Sequence, residues 1–236
     1  TTFGAYASVI AKSLGKPLVM TDLGGGHHPV MTTGRGLDLA DGVVSISNFA
    51  HSLIAGSYGG RYEVIVGPID TDFFKPAAKD RKKRSNSAIC VSRIMPHKGI
   101  DRIIRALPEG LSMTMVGSVY HKEYYELLKD LARGKDVTFI HDASDDQLIE
   151  LYRSAGLFAQ GSTAKDVYGT VVRKTELMGL TTLEAMACGL PVIVSDGGSL
   201  PEMVPNDDLG RVFKTHEDLV GHLEELRDGR WAKNFS

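Results

Sequence analysis

Short runs of aliphatic and β-branched residues alternate along this chain with stretches whose apolar positions recur every three to four residues, the signature of strands interleaved with amphipathic helices. In the first third, residues 17–21 (PLVMT), 42–47 (GVVSIS) and 62–66 (YEVIV) read as strands. Asn48 stands where a helix cap is expected, ahead of a helix running through about Tyr58. The pattern then breaks. Gly67-Pro68, Lys75-Pro76 and a charged run to Asn86 bring turn residues and charge with no period. This predicts a first segment over 1–75, a linker over 76–87 and a second domain over 88–228.

Beyond the break the alternation is cleaner. Residues 88–92 (AICVS) read as a buried-type strand, and Ile100, Ile103, Ile104 and Leu107 follow on one helical face. Residues 112–116 read as a strand ending at Gly117. His121 to Arg133 reads as a helix stopped by Gly134, and 137–140 as a strand. Ser144 is placed to cap the next helix. Strands are expected over 156–160 and 191–195, with a last helix from about Glu217 to Arg227. Repeated βα units with apolar strands predict an α/β fold: a doubly wound, Rossmann-like parallel sheet covered by helices on both faces, plus part of a second Rossmann-like domain. Ligands of such sheets bind outside the carboxyl ends of the strands, so the loops there hold the candidate chemistry.

Composition changes this picture little. Of 236 residues, 42% are apolar and 24% charged, enough for a real core, and the net charge of -2 gives no field to draw nucleic acid. The basic run Lys79-Asp80-Arg81-Lys82-Lys83-Arg84 reads either as a solvated linker or as a contact with anionic lipid at the inner membrane face. Cys90 and Cys188 each lie in an apolar run and read as buried free thiols, which fits a reducing cytoplasm. No Cys/His cluster calls for a metal, no signal peptide opens the chain, and no run approaches the roughly 20 apolar residues of a spanning helix. The chain opens without Met, on what reads as mid-domain sequence, and closes without a terminator; a fragment is expected at both ends.

Several strand-end loops carry candidate chemistry. The loop 92–99 (SRIMPHKG) follows a strand and enters a helix; Arg93 and Lys98 beside helix N–H groups suit a diphosphate, though two surface cations are the plainer alternative. Residues 176–191 (ELMGLTTLEAMACGLP) lead into a short helix. Gly179 keeps the backbone bare there, so the amides of Gly179, Leu180 and Thr181 can face a phosphate or sugar oxygen. Thr181 and Glu184 have capping-box spacing, which makes Thr181 the expected N-cap and leaves Glu184 either a cap or a ligand. Glu176 lies one loop upstream; carboxylates accept two hydroxyl bonds each and suit vicinal diols. Residues 196–202 (DGGSLPE), a Gly117-Ser118 strand end and the glycine-rich loop 21–29 with His27 and His28 complete the set, each with an ordinary turn or loop as the alternative. No GxGxxG after a strand, no GxxxxGK[ST] and no GxSxG is present, which removes the main supports for a nicotinamide enzyme, a P-loop NTPase and an α/β-hydrolase.

Taken in order, these motifs resemble glycosyltransferase family 4, of the GT-B fold. Arg93 with Lys98-Gly99 looks like its G-R-x-x-x-x-K-G stretch. Glu176 and Glu184 have its E-x7-E spacing, residues 184–192 (EAMACGLPV) look like its E-A-M-A-C-G-x-P-V core, and Gly197-Gly198 with Pro201-Glu202 looks like its G-G-x-P-E turn. Residues 70–76 (DTDFFKP) look like its domain junction. The resemblance implies a retaining enzyme that moves a hexose from a nucleotide-diphosphate sugar to a glycan or lipid-linked acceptor, in polysaccharide or glycolipid synthesis. It implies no metal and no other cofactor. It places Arg93 and Lys98 on the diphosphate, Glu184 on the ribose, Glu176 on the transferred sugar, and the amides of Leu180 and Thr181 on phosphate or sugar oxygens. His28 would match a cleft histidine. The sequence departs from the family at Leu177-Met178, where Gly-Phe is usual, at Gly67-Pro68, and in a run from Thr163 to Thr175 that looks inserted. A nucleotide-sugar-binding module without catalysis and a GT-B sugar phosphorylase remain the alternatives.

Overall fold

The computed structural model describes residues 2–23, 37–76 and 86–230. The chain divides into two compact units, Thr1–Pro68 with Glu176–Met178, and Ile69–Thr175 with Gly179–Ser236. The division comes earlier than the expected segment end at residue 75. The reason is packing: Phe73 and Phe74 sit against a core cluster of the second unit, and Arg153 Nε donates to the Lys75 carbonyl (3.0 Å). Most of the expected linker lies outside the described residues.

The first unit contains α1 (Thr2–Ser13), β1 (Val19–Asp22), a 3-10 turn Leu37–Leu39, β2 (Gly42–Ser45), α2 (Asn48–Ser52) and β3 (Tyr62–Val64). Its strands form a parallel sheet in the order β1-β2-β3, over a small core of Leu37, Val43, Ile54 and Tyr58. Asn48 is not the cap of α2. Ser47, in extended conformation, accepts from the Ala50 amide at 2.9 Å, and the regular helix ends at Ser52 before looser turns. Ser47 Oγ then donates to the Leu177 carbonyl (2.6 Å) and the Gly67 amide to Met178 Sδ (3.1 Å), which ties residues 176–178 into this unit.

The second unit contains β4 (Ser87–Val91), α3 (Ile100–Ala106), β5 (Ser112–Val116), α4 (Lys122–Leu131), β6 (Val137–Ile140), α5 (Asp145–Ser154), β7 (Leu157–Gln160), α6 (Leu180–Ala187), β8 (Val192–Ser195), α7 (Leu200–Met203), β9 (Gly210–Phe213) and α8 (His216–Arg227). Its six strands are parallel in the order β6-β5-β4-β7-β8-β9. The α/β expectation with parallel sheets therefore holds in both units. β4 is buried at all five positions because it is covered on both faces. Its alternate residues divide between two cores: Ala88 and Cys90 with the helices α3, α4 and α8, and Ile89 and Val91 with α5, α6 and α7. Ile100, Ile103 and Ile104 are each 0% exposed, as their spacing requires. Strand order reverses between β4 and β7, and the loops leaving the carboxyl ends of these two strands meet there.

Candidate functional site

Three glycines let those loops close on one another. A Cβ on Gly99 would strike the Gly161 carbonyl, one on Gly117 the Ser92 carbonyl, and one on Gly197 the Ser162 carbonyl. The Thr163 amide donates to the His97 carbonyl (2.9 Å) and Ser195 Oγ to the Ser162 carbonyl (2.6 Å). The loops at the carboxyl ends of β4, β5, β7 and β8 are thus joined to one another through backbone contacts.

Lys98 ends a 3-10 turn, Pro96–Lys98, and is only 9% exposed. Its neighbour Gly99 takes the left-handed conformation (φ 61°, ψ 31°) and serves as the N-cap of α3. A charge held this far from water acts strongly on whatever comes close. Arg93 lies exposed in the same loop with its guanidinium 5.5 Å from the Tyr120 ring centre. The Tyr120 amide donates to the Ile94 carbonyl (3.2 Å), so the loops after β4 and β5 are joined. Burial pushes the Cys90 thiol beneath this loop up to about 12, against the opposing pull of Ser92 and Lys98; it is a neutral core group.

The capping expectation at α6 is corrected. Gly179, left-handed at φ 72° and ψ 45°, is the N-cap, and it makes no side-chain cap bond. Thr181 lies inside the first turn, so Glu184 is too far along the helix to reach back to the cap. The first intrahelical bond is from the Thr182 amide to the Gly179 carbonyl (3.0 Å), which leaves the amides of Leu180 and Thr181 ahead of the ladder. Gln160, at the end of β7 and 2% exposed, steadies this end of the helix: its Oε1 accepts from Thr182 Oγ1 (2.7 Å) and Thr181 Oγ1 (3.5 Å). Glu184 is half-buried and accepts from Tyr152 OH at 2.9 Å. Burial raises its carboxyl above the usual range, the Tyr152 bond draws it back down, and the Asp145 charge raises it. A cleft of about 650 Å³ opens at the end of β6, and Ile140, Asp142, Ala143, Asp146 and Gln147 are among the residues that line it.

The second unit therefore brings together Arg93, Lys98, Gly179, Leu180, Thr181 and Glu184 on one sheet edge. Glu176 belongs with the first unit through its Leu177 and Met178 neighbours, and His28 lies outside the described residues. Tyr152 and Gln160 escaped the sequence reading. Gln160, a polar residue ending the run Leu-Phe-Ala-Gln, was a usable signal; Tyr152 gave none, since a buried aromatic on α5 reads as core. The run 163–175 forms a tight loop: Val172 N donates to the Ala164 carbonyl, and Asp166 Oδ1 accepts from the amides of Tyr168 and Thr170. Among the described residues, no group of three or more His, Cys, Asp and Glu is arranged for a metal ion, and no helix is long and apolar enough to cross a membrane.

Residues 71–234 match the family model described as glycosyl transferases group 1. The chain is 30% identical over 192 residues to the GDP-mannose-dependent alpha-(1-6)-phosphatidylinositol monomannoside mannosyltransferase of Mycobacterium tuberculosis, covering 74% of this chain and 49% of that protein. It is 31% identical over 180 residues to the probable sucrose-phosphate synthase of Thermosipho melanesiensis, 70% of this chain and 39% of that one. The chain spans about half the length of the curated relatives it matches. Among solved structures, HepE of Anabaena in complex with UDP-glucose superposes with a TM-score of 0.73 at 20% identity, over 97% of this chain and 68% of that one.

Proposed function

The chain belongs to the group 1 glycosyl transferases and has an α/β fold of the GT-B type, and from that membership we propose that it supplies the donor-binding part of an enzyme that transfers a hexose from a nucleotide-diphosphate sugar, with retention, to a glycan or lipid-linked acceptor. The carrying observation is the convergence of the buried Lys98, the leading amides of α6 and the Glu184 carboxylate on one edge of one parallel sheet. A diphosphate seated there meets Lys98 and Arg93 on one side and the amides of Leu180 and Thr181 on the other. The nucleoside diphosphate leaves as an anion, and fixed positive groups in a site of low dielectric stabilise that charge without reorganising. They do the work a metal does elsewhere, so the proposal needs none. Glu184 accepts the ribose hydroxyls. Glu176, and a histidine at position 28, act on the transferred sugar. Relatives named for GDP-mannose and a fold relative solved with UDP-glucose support a nucleotide-sugar donor and leave both bases in play. A phosphatidylinositol mannoside acceptor in one relative supports a lipid-linked acceptor met at the cytoplasmic membrane face.

A thermal-shift panel of UDP, GDP and ADP on the chain and on Lys98→Ala tests the donor site. Ligand at a hundred times its dissociation constant adds about 2.7 kcal/mol of stability. One diphosphate is expected to stabilise the wild type and not the variant; equal stabilisation of both would remove Lys98 from the site.

A further inference from the structure

Tyr152 is 0% exposed, and its ring packs against Phe158 (6.2 Å between centres) and Phe74 (6.1 Å). Phenylalanine would fill that space. A phenol hydroxyl in such a core is unfavourable unless it has a partner, and the partner here is the Glu184 carboxylate, at 2.9 Å. The Thr181 carbonyl lies farther away, at 3.4 Å. The hydroxyl has one proton to give, and a charged acceptor holds it more strongly than a neutral carbonyl.

We infer that Tyr152 is a positioning residue for Glu184: its hydroxyl fixes one carboxylate oxygen, so that the carboxylate can accept both hydroxyls of a ribose diol. The inference rests on the placement of a nucleoside at Glu184 made above. An ionised carboxylate is an acceptor only, whereas a protonated one turns an acceptor into a donor and loses part of its fit to a diol. Among the described residues, the titratable groups acting on Glu184 are Tyr152 and Asp145, both on α5. Burial and Asp145 favour the protonated form, and the Tyr152 bond opposes them. Removing the hydroxyl therefore frees the carboxyl to turn and to take up a proton at higher pH.

The test is calorimetric titration, across pH, of UDP, GDP and ADP and their 2′-deoxy counterparts into the chain and into Tyr152→Phe, Glu184→Gln and the double variant. The wild type is expected to prefer the ribonucleotide by about tenfold, the value of one hydrogen bond to a charged group. Tyr152→Phe should lose most of that preference by weakening the ribonucleotide more than the deoxynucleotide, which has only its 3′-hydroxyl left to lose. Its remaining preference should fade at higher pH than in the wild type, and adding it to Glu184→Gln should change nothing further. Replacing Tyr152 with 3-fluorotyrosine, a stronger donor that keeps the ring, should move the pH midpoint the other way. An unaltered ribose preference and pH profile in Tyr152→Phe overturns the inference while the donor site stands. A wild type that binds both sugars equally overturns the role of Glu184 and this inference with it. Failure of all three diphosphates to bind overturns the donor-site reading itself.

Discussion

Replacing Gly99 by alanine tests whether the close approach of the β4 and β7 loops builds the site. Two penalties arise. A left-handed alanine costs about 1–2 kcal/mol, which glycine avoids. The new Cβ also strikes the Gly161 carbonyl, and because that atom is backbone the strand end must shift, at about 1–3 kcal/mol by analogy with overpacked cores. The sum, about 2–5 kcal/mol, is a large share of a typical domain stability of about 5–15 kcal/mol, so the variant folds but is weakened. Gly134 provides the control. It is also left-handed (φ 76°), but nothing lies within 4 Å of its added Cβ. Gly134→Ala should therefore carry the conformational penalty alone, and the entropy lost by the unfolded chain is common to both variants. Urea unfolding followed by circular dichroism gives both values, with unchanged slopes showing that the native compactness is kept. Gly99→Ala should lose at least about 1 kcal/mol more than Gly134→Ala. If the two lose the same, the approach of Gly99 to Gly161 is not a close one, and the reason given for the joined loops fails.

Thr182→Val keeps the shape of the α6 first turn and removes one partner of the buried Gln160 amide. It should lower stability by about 1–2 kcal/mol in urea unfolding, and a wild-type midpoint would show that the bond is idle. His222, on α8, has its pKa lowered from 6.5 chiefly by burial, with Glu225 and Asp218 opposing. Below 6.5 the unfolded chain takes up this proton before the folded one does, so the contribution is present above 6.5 and is lost as pH falls below it. His222→Gln should flatten that part of a stability curve measured between neutral pH and about pH 5; an identical slope in both proteins would refute it.

How much of this was legible depended on whether the deciding contact was local. The strand over 87–91 could be read because burial on both faces forces a nearly continuous apolar run, and that over 112–116 because its buried Met113 and Met115 alternate with partly exposed polar residues. β9 (Gly-Arg-Val-Phe) could not, since it opens on a glycine and carries Arg211 at an intermediate position. Ser144 and Gln147 form the capping box their spacing suggests. Thr181 and Glu184 have the same spacing and form none, because Gly179 starts the helix earlier in a conformation set by packing beside Leu200. In the candidate site, the placement of Lys98, Arg93 and the α6 amides in loops at the carboxyl ends of strands was legible from the βα pattern, and such loops are where these sheets bind ligands. The Tyr152–Glu184 bond joins two helices far apart in sequence, and no spacing announces it. Likewise, the attachment of residues 176–178 to Ser47 and Gly67 depends on pairings that leave no local mark.

The pairing of β4 with β7 also bears on how the second unit acquires its site during folding. Ala88 lies opposite Leu157, and everything between them, including β5 and β6, is one long excursion of the chain. Parallel neighbours have no hairpin to nucleate them, and contacts between distant residues must repay a larger loop-closure entropy before they form, so such topologies fold slowly. The β4–β7 seam is also where the loops carrying Lys98 and Gly161 meet. Half of this sheet, however well folded, would have no site to offer. On the donor-site proposal, nucleotide binding should therefore appear late in refolding, with the final closure of the sheet, and would serve as a reporter of complete folding where helix content would not.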